Sequence, residues 1–408
     1  MANPAPSYRA ALAVPGFGRI AGASLIGRLA EATLGVVMVL FVLQRFHSPT
    51  LAGLTVLASL GPSLLLSPVA GALLDRHGRV RLIMFDYLVG SASLAGIAVL
   101  SVTGHLTPQV LILLAVFGGI TGMLSAAGMR SVVPILLPPE LWGRGNAIDS
   151  SGYTLTVIVG PALGGLLVGL LSPEAGIGVG AALYAVGAAS LVGLAEPGTP
   201  GPSGQSIWRS SLEGLRYVAR NRVLRGIATS LTLVNIGAGV AVVGIPVLAL
   251  EHFHASSATV GFLWASQGVG AVIAGFAFGR IDTSKRAWGL IIATFLLTAA
   301  GTAVVAGAPS LLVMGAGIVL IGLALGPMDV TLFSLRQRVT GPRWYGRAIA
   351  ISMSLNFAGF PIGSGLSGAV VRLGPRFAMA TAAILTLGGA AIAAVAIPRR
   401  PEDQVAPD

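Results

Sequence analysis

The chain has 408 residues, of which 54% are hydrophobic and only 10% charged, and its mean hydropathy is +0.87. Soluble chains carry charge on about a quarter of their residues, so this surface is expected to face lipid rather than water. There is no cysteine, which excludes disulfides, thiolate metal sites and cysteine nucleophiles. The net charge is +11, and every basic residue but Lys285 is arginine; in a membrane chain these report topology rather than a nucleic-acid partner.

A helix that crosses a bilayer needs roughly 20 mostly apolar residues. Twelve runs qualify: 18–44, 49–73, 82–103, 108–136, 147–171, 174–195, 225–250, 257–279, 288–308, 310–335, 348–371 and 375–397. They are long, continuous and rich in Ala, Leu and Gly, without the short alternation of a membrane barrel. The mixed stretch before the first run lacks the form of a cleavable signal peptide. If the N-terminus is cytoplasmic, all 25 basic residues but Arg28, Arg45, Arg372 and Arg376 fall on the cytoplasmic side, which places both termini there.

The first span carries Arg28 and Glu31 on one helical face. Ionisable groups deep in a bilayer cost several kcal/mol unless paired or hydrated, so they need a reason. Mutual neutralisation is one. Transport is the other: Glu31 is expected to carry a proton, with Arg28 competing for the carboxylate. Asp329 in the tenth span is the second such candidate.

Between the second and third spans, "GALLDRHGRVRLIMFD" (71–86) concentrates Asp75, Arg76, Arg79, Arg81 and Asp86 with Gly71 and Gly78. A basic topology-setting loop explains the arginines but not Asp75 or the glycines. The fifth span contains Gly160, Pro161, Gly164 and Gly165, small residues suited to close helix packing.

The halves echo each other. "RFHSPTLAGL" (45–54) is answered by "HFHASSATVGF" (252–262), "GALLDRHGR" (71–79) by "GFAFGRIDTSKR" (275–286), and "LWGRGNAI" (141–148) by "RWYGRAIAI" (343–351). Two six-helix halves are a transporter plan, with substrate held near the midplane. This gives an all-α membrane protein with bundles at 1–195 and 225–408, joined by a cytoplasmic linker at 196–224.

Within the linker, "EPGTPGPSGQS" (196–206) is Pro/Gly/Ser-rich. Next, "SIWRSSLEGLRYVARNR" puts Trp208, Leu212, Leu215 and Ala219 on one helical face and Arg209, Glu213, Arg216 and Arg220 on a stripe beside it. A helix lying on the cytoplasmic membrane surface, tethering the halves, is expected. Asn235 lies at the place on the seventh span that matches Arg28, and Tyr153, Trp264, Gln267, Asn356 and Phe357 are candidates to line a central cavity with it.

"GALLDRHGRVR" resembles the signature of the major facilitator superfamily, with Gly71, Asp75, Arg76, Gly78, Arg79 and Arg81 in the matching places. The stretches "SPTLAGLTVLASLGPSLLLSPVAGALLDRHGRVRLIMFD" and "MRSVVPILLPPELWGRGNAIDSS" are similar to the exporter branch that includes enterobactin and macrolide efflux proteins. Gly160-Pro161-x-x-Gly164-Gly165 is similar to the helix 5 motif of proton-coupled antiporters, although the mid-helix-4 arginine of many drug/proton antiporters has no equivalent here.

The resemblance implies the twelve-helix major facilitator fold and export of a small amphiphilic molecule (a drug, siderophore or secreted metabolite) by alternating access with protons as coupling ion. It also implies a monomer in the inner membrane. The loop after the second span then acts as a cytoplasmic latch, with Asp75 facing a helix N-terminus in the other half and Arg76 and Arg79 reaching Asp86 or Asp149. An importer of a polar metabolite, or a receptor built on the fold, is the alternative. No phosphate loop, nucleophile elbow or cofactor motif is present; His252 and His254 beside Glu251 read as an extracellular loop before a metal site.

Overall fold

The computed structural model describes residues 7–196, 207–278, 286–341 and 344–400. Most of the Pro/Gly/Ser linker, the centre of the 275–286 repeat and the last eight residues lie outside these. Fifteen α-helices are described. They are α1 (Tyr8–Ala13), α2 (Phe17–Phe46), α3 (Pro49–His77), α4 (Arg79–Val102), α5 (Pro108–Gly119), α6 (Gly122–Leu136), α7 (Trp142–Leu170), α8 (Pro173–Leu191), α9 (Ile207–Arg220), α10 (Arg222–Val247), α11 (Ser257–Phe278), α12 (Ala287–Gly307), α13 (Leu311–Val339), α14 (Tyr345–Val371) and α15 (Pro375–Ala396). Among the described residues, twelve helical segments are long and apolar enough to cross a membrane, and no strand is found.

Local chemistry sets many of the helix starts. Pro49, Pro108, Pro173 and Pro375 open helices, where their missing N–H costs nothing. Thr107, Ser172 and Ser310 cap α5, α8 and α13 with side-chain oxygens that accept from the backbone N–H of Val110, Ala175 and Val313. The fourth span is broken where one continuous helix was expected: α5 stops at Gly119 and α6 resumes at Gly122. A side chain at Gly119 would collide with the Ser59 carbonyl of α3, so the glycine lets the two backbones touch at the break.

The chain forms two compact units, Met1–Met38 with Ala58–Gly204, and Val39–Leu57 with Gln205–Asp408. The end of α2 and the start of α3 therefore count with the second unit. Gln44 donates to Ser257 at 2.7 Å, and Gly53 and Gly368 meet Ser364 and Thr50 so closely that a Cβ would not fit. In the first unit, Ile20, Ile83, Tyr87, Val132 and Leu191 form a core, with the Tyr87 hydroxyl donating to the Ala23 carbonyl at 3.2 Å. In the second, Leu224, Ile227, Ile291, Phe295 and Leu335 form another.

Candidate functional site

Arg28 on α2 reaches across to α7. Its Nη1 lies 2.9 Å from Asp149 Oδ1 and donates to the Asp149 carbonyl at 3.0 Å; its Nη2 donates to Oδ2 at 3.1 Å. The pair is half-buried, with side chains 20% and 32% exposed, and the Arg28 guanidinium stands 5.7 Å from the centre of the Tyr153 ring. Glu31, one turn along α2, is exposed.

The helix 5 glycines bring α7 this close. A Cβ on Gly160 would meet Ala32 at 2.5 Å, and one on Gly164 would meet the Thr33 carbonyl at 2.7 Å. Gly165 is buried and Pro161 lies within the helix. The motif therefore packs against the residues that directly follow Glu31, and holds Asp149 at the distance Arg28 can span.

The second unit repeats this brace with uncharged groups. Asn235 on α10 donates to the Asn356 carbonyl on α14 at 2.9 Å. Both bonds join residues 121 apart in sequence, and adding 207 to Arg28 and Asp149 gives Asn235 and Asn356. Here too glycines permit the contact: Gly359 and Gly363 meet the carbonyls of Thr232 and Ile236 too closely for any side chain, with Pro361 between them. One construction thus carries an ion pair in one unit and a neutral amide in the other.

The charged loop between α3 and α4 is built locally. Asp75 pairs with Arg79 one turn on, and Arg79 also donates to Ser131 Oγ at 3.0 Å while being 6% exposed. Asp86 is buried against Thr121 and Ser125, and Asp149 is held by Arg28, so neither is the Arg79 partner expected from sequence. Arg76 and Arg81 are exposed, and Gly71 lies in α3.

Gly78 has φ +94°, the left-handed region that glycine enters freely. A Cβ there would also fall 2.6 Å from the Glu196 carboxylate, which would have to swing aside. Glu196 accepts from the backbone N–H of Val80 at 3.2 Å and of Arg81 at 2.8 Å, capping α4 with a negative charge. Glu196→Ala is expected to cost roughly 1 kcal/mol and to speed amide exchange at Val80 and Arg81 several-fold, with little change elsewhere, in a hydrogen-exchange measurement.

Asp329 is exposed on α13. Two turns on, Arg336 is 4% exposed, donates to Ser352 Oγ at 3.2 Å and lies within electrostatic reach of Asp329. Of the cavity candidates, Tyr153 belongs to the first unit and the others to the second. Tyr153 and Phe357 are exposed, Trp264 and Gln267 half-buried, and Asn356 is 3% exposed.

Three features escaped the sequence reading. Glu196 was visible only as the first residue of a linker. Arg336 was counted as a topology charge, although its spacing of seven from Asp329 marks a shared face. Gly359-x-Pro361-x-Gly363 echoes Gly160-Pro161-x-x-Gly164, but with a shifted proline that hides the likeness.

The chain matches the family model for the Major Facilitator Superfamily over residues 20–248 and 227–408. It is 35% identical over 399 residues to the "Uncharacterized MFS-type transporter y4rN" of Sinorhizobium fredii, covering 96% of this chain and 97% of that one. It is 27% identical over 390 residues to the "Multidrug efflux pump Tap" of Mycolicibacterium fortuitum, covering 91% and 93%. Its fold resembles the crystal structure of a point mutant of the nucleoside transporter NupG, with a TM-score of 0.74 at 14% identity over 93% and 98% of the chains. With twelve apolar helices and this match along its length, the chain belongs to the major facilitator superfamily: it is a multi-pass membrane transporter and not an enzyme.

Proposed function

We propose that this transporter exports a small amphiphilic molecule across the inner membrane by alternating access, in exchange for protons, as a monomer with both termini in the cytoplasm. The charged brace carries the reading. A bilayer-embedded ion pair costs more than a neutral hydrogen bond, and the second unit holds the same place with an Asn–Asn contact. Arg28 and Asp149 therefore have a use beyond packing. Likeness to a multidrug efflux pump and to the exporter-type loop and helix 5 motifs supports outward transport.

In this mechanism a proton and Arg28 compete for the carboxylates around α2. Protonation of Asp149 removes the charge that holds the guanidinium and frees it, and protonation of Glu31 removes a second negative charge nearby; a cationic or zwitterionic substrate then takes the place of one partner. Asp329 and Arg336 supply a second charged pair on α13. The loop from Gly71 to Arg81 acts as the cytoplasmic latch: its Asp75–Arg79 pair is solvent-facing on one side, and such a pair is weak enough to open in each cycle.

Cells expressing the protein should accumulate several-fold less of a fluorescent lipophilic cation than cells lacking it, and collapsing the proton gradient should erase the difference. Equal accumulation across a panel of cations, zwitterions and siderophores, with transport intact in an uptake assay, would reverse the direction assigned here.

A further inference from the structure

We propose that α9 is a receptor for acidic phospholipid headgroups at the cytoplasmic face of the second unit. Successive residues of a helix turn by about 100°, so α9 presents three faces. One is docked: Val218 is 2% exposed, Tyr217 stacks on Trp344 with ring centres 5.0 Å apart, and the Tyr217 hydroxyl accepts from the Gly341 N–H at 3.2 Å. A second is apolar and open, with Leu212 48% and Leu215 42% exposed and Ala219 exposed beside them. The third carries Arg216 and Arg220, both exposed.

A helix with only an apolar and a charged face would simply lie on the membrane surface. The docked third face changes its consequence, because α9 is anchored to protein and its open apolar face cannot turn inward. Its C-terminal end is also held, while Leu212 lies more than two turns away toward the N-terminus. Asn221 ends α9 and caps α10, accepting from the N–H of Val223 and Leu224 at 3.0 Å while donating to the Val339 carbonyl at 3.2 Å. Since α10 starts at Arg222 and is long and apolar enough to cross a membrane, the end of α9 is expected at the membrane boundary.

Charge selects the occupant. Arg216, Arg220, Arg222 and Arg225 all reach solvent, and Glu213 is the only acidic residue from 207 to 225. Arg225 also donates to the Ala219 carbonyl at 2.8 Å, which ties it to the end of α9. Leucines that enter the acyl boundary beside arginines at headgroup level form the pattern of an interfacial helix on an anionic leaflet. Because α9 contacts Val339 at the end of α13 and Gly341 and Trp344 just ahead of α14, leaflet charge would bear directly on the start of that helix. This inference stands whichever direction the substrate moves.

The cysteine-free chain allows a clean test. Leu212→Cys in the full-length protein, labelled with a nitroxide, is reconstituted in vesicles of phosphatidylcholine alone or of phosphatidylcholine with phosphatidylglycerol. With the acidic lipid, the label should be several-fold more accessible to oxygen relative to a water-soluble nickel relaxant. Adding R216Q and R220Q should abolish the difference. A water-exposed label in both vesicles, a label shielded from both relaxants as by a protein partner, or a lipid-exposed label indifferent to charge would overturn the proposal.

Discussion

Asp149→Asn is expected to reduce proton-driven uphill transport by about tenfold or more while leaving substrate exchange across the membrane largely intact. Only the coupled reaction needs the carboxylate to gain and lose a proton, so exchange separates loss of coupling from loss of binding or folding. Breaking a fully buried pair by removing one partner costs about 3–5 kcal/mol. Here the side chains are 20% and 32% exposed, so a smaller penalty is expected. The double variant Arg28→Asn with Asp149→Asn recreates in the first unit the Asn–Asn brace that the second unit already uses at the same register. It should fold as well as the parent and remain uncoupled. Glu31→Gln, tested in the same proteoliposomes, tells whether the neighbouring carboxylate shares the proton. If both Asp149→Asn and Glu31→Gln accumulate substrate against its gradient as well as the parent, the ionisable centre assigned here is wrong.

Gly363→Val is expected to destabilise the protein by about 3 kcal/mol or more, seen as a lower thermal midpoint and poor recovery in detergent. A Cβ at this position would collide with the Ile236 carbonyl and backbone of α10, and neither can move aside as a side chain would. α10 and α14 would have to separate, and the Asn235–Asn356 bond lies on the same contact. Gly35→Val on α2 is the control: the space around its Cβ is open and the residue is exposed, so its effect should stay within a fraction of that loss. Equal midpoints for the two variants would show that the α10–α14 contact is not limiting.

The twelve spans were legible because span length and hydropathy are fixed by lipid, which the sequence records directly. The residues of the helix 5 motif and the Gly78 turn were legible for a similar local reason: few other residues fit a close backbone contact or a positive φ. The partners of charged groups were not. Arg28 had Glu31 within reach along its own helix, yet its guanidinium ends on Asp149, 121 residues away. Arg79 had two distant carboxylates proposed for it and instead pairs with Asp75 one turn back. Likewise Glu196 became a cap only when the end of the first bundle was brought beside the α4 N-terminus.

By itself, then, the sequence determined the membrane class, the number of membrane spans and the small residues at the crossings, since each depends on local composition or spacing, and its motif after the second span carried the resemblance to the superfamily. Tertiary structure alone decided which cation meets which carboxylate, that α9 has a docked face, and that the two units share one brace in charged and neutral forms. A long side chain sweeps several ångströms and can reach several partners. Only the crossing of two helices, set by backbone contact at their glycines, selects one.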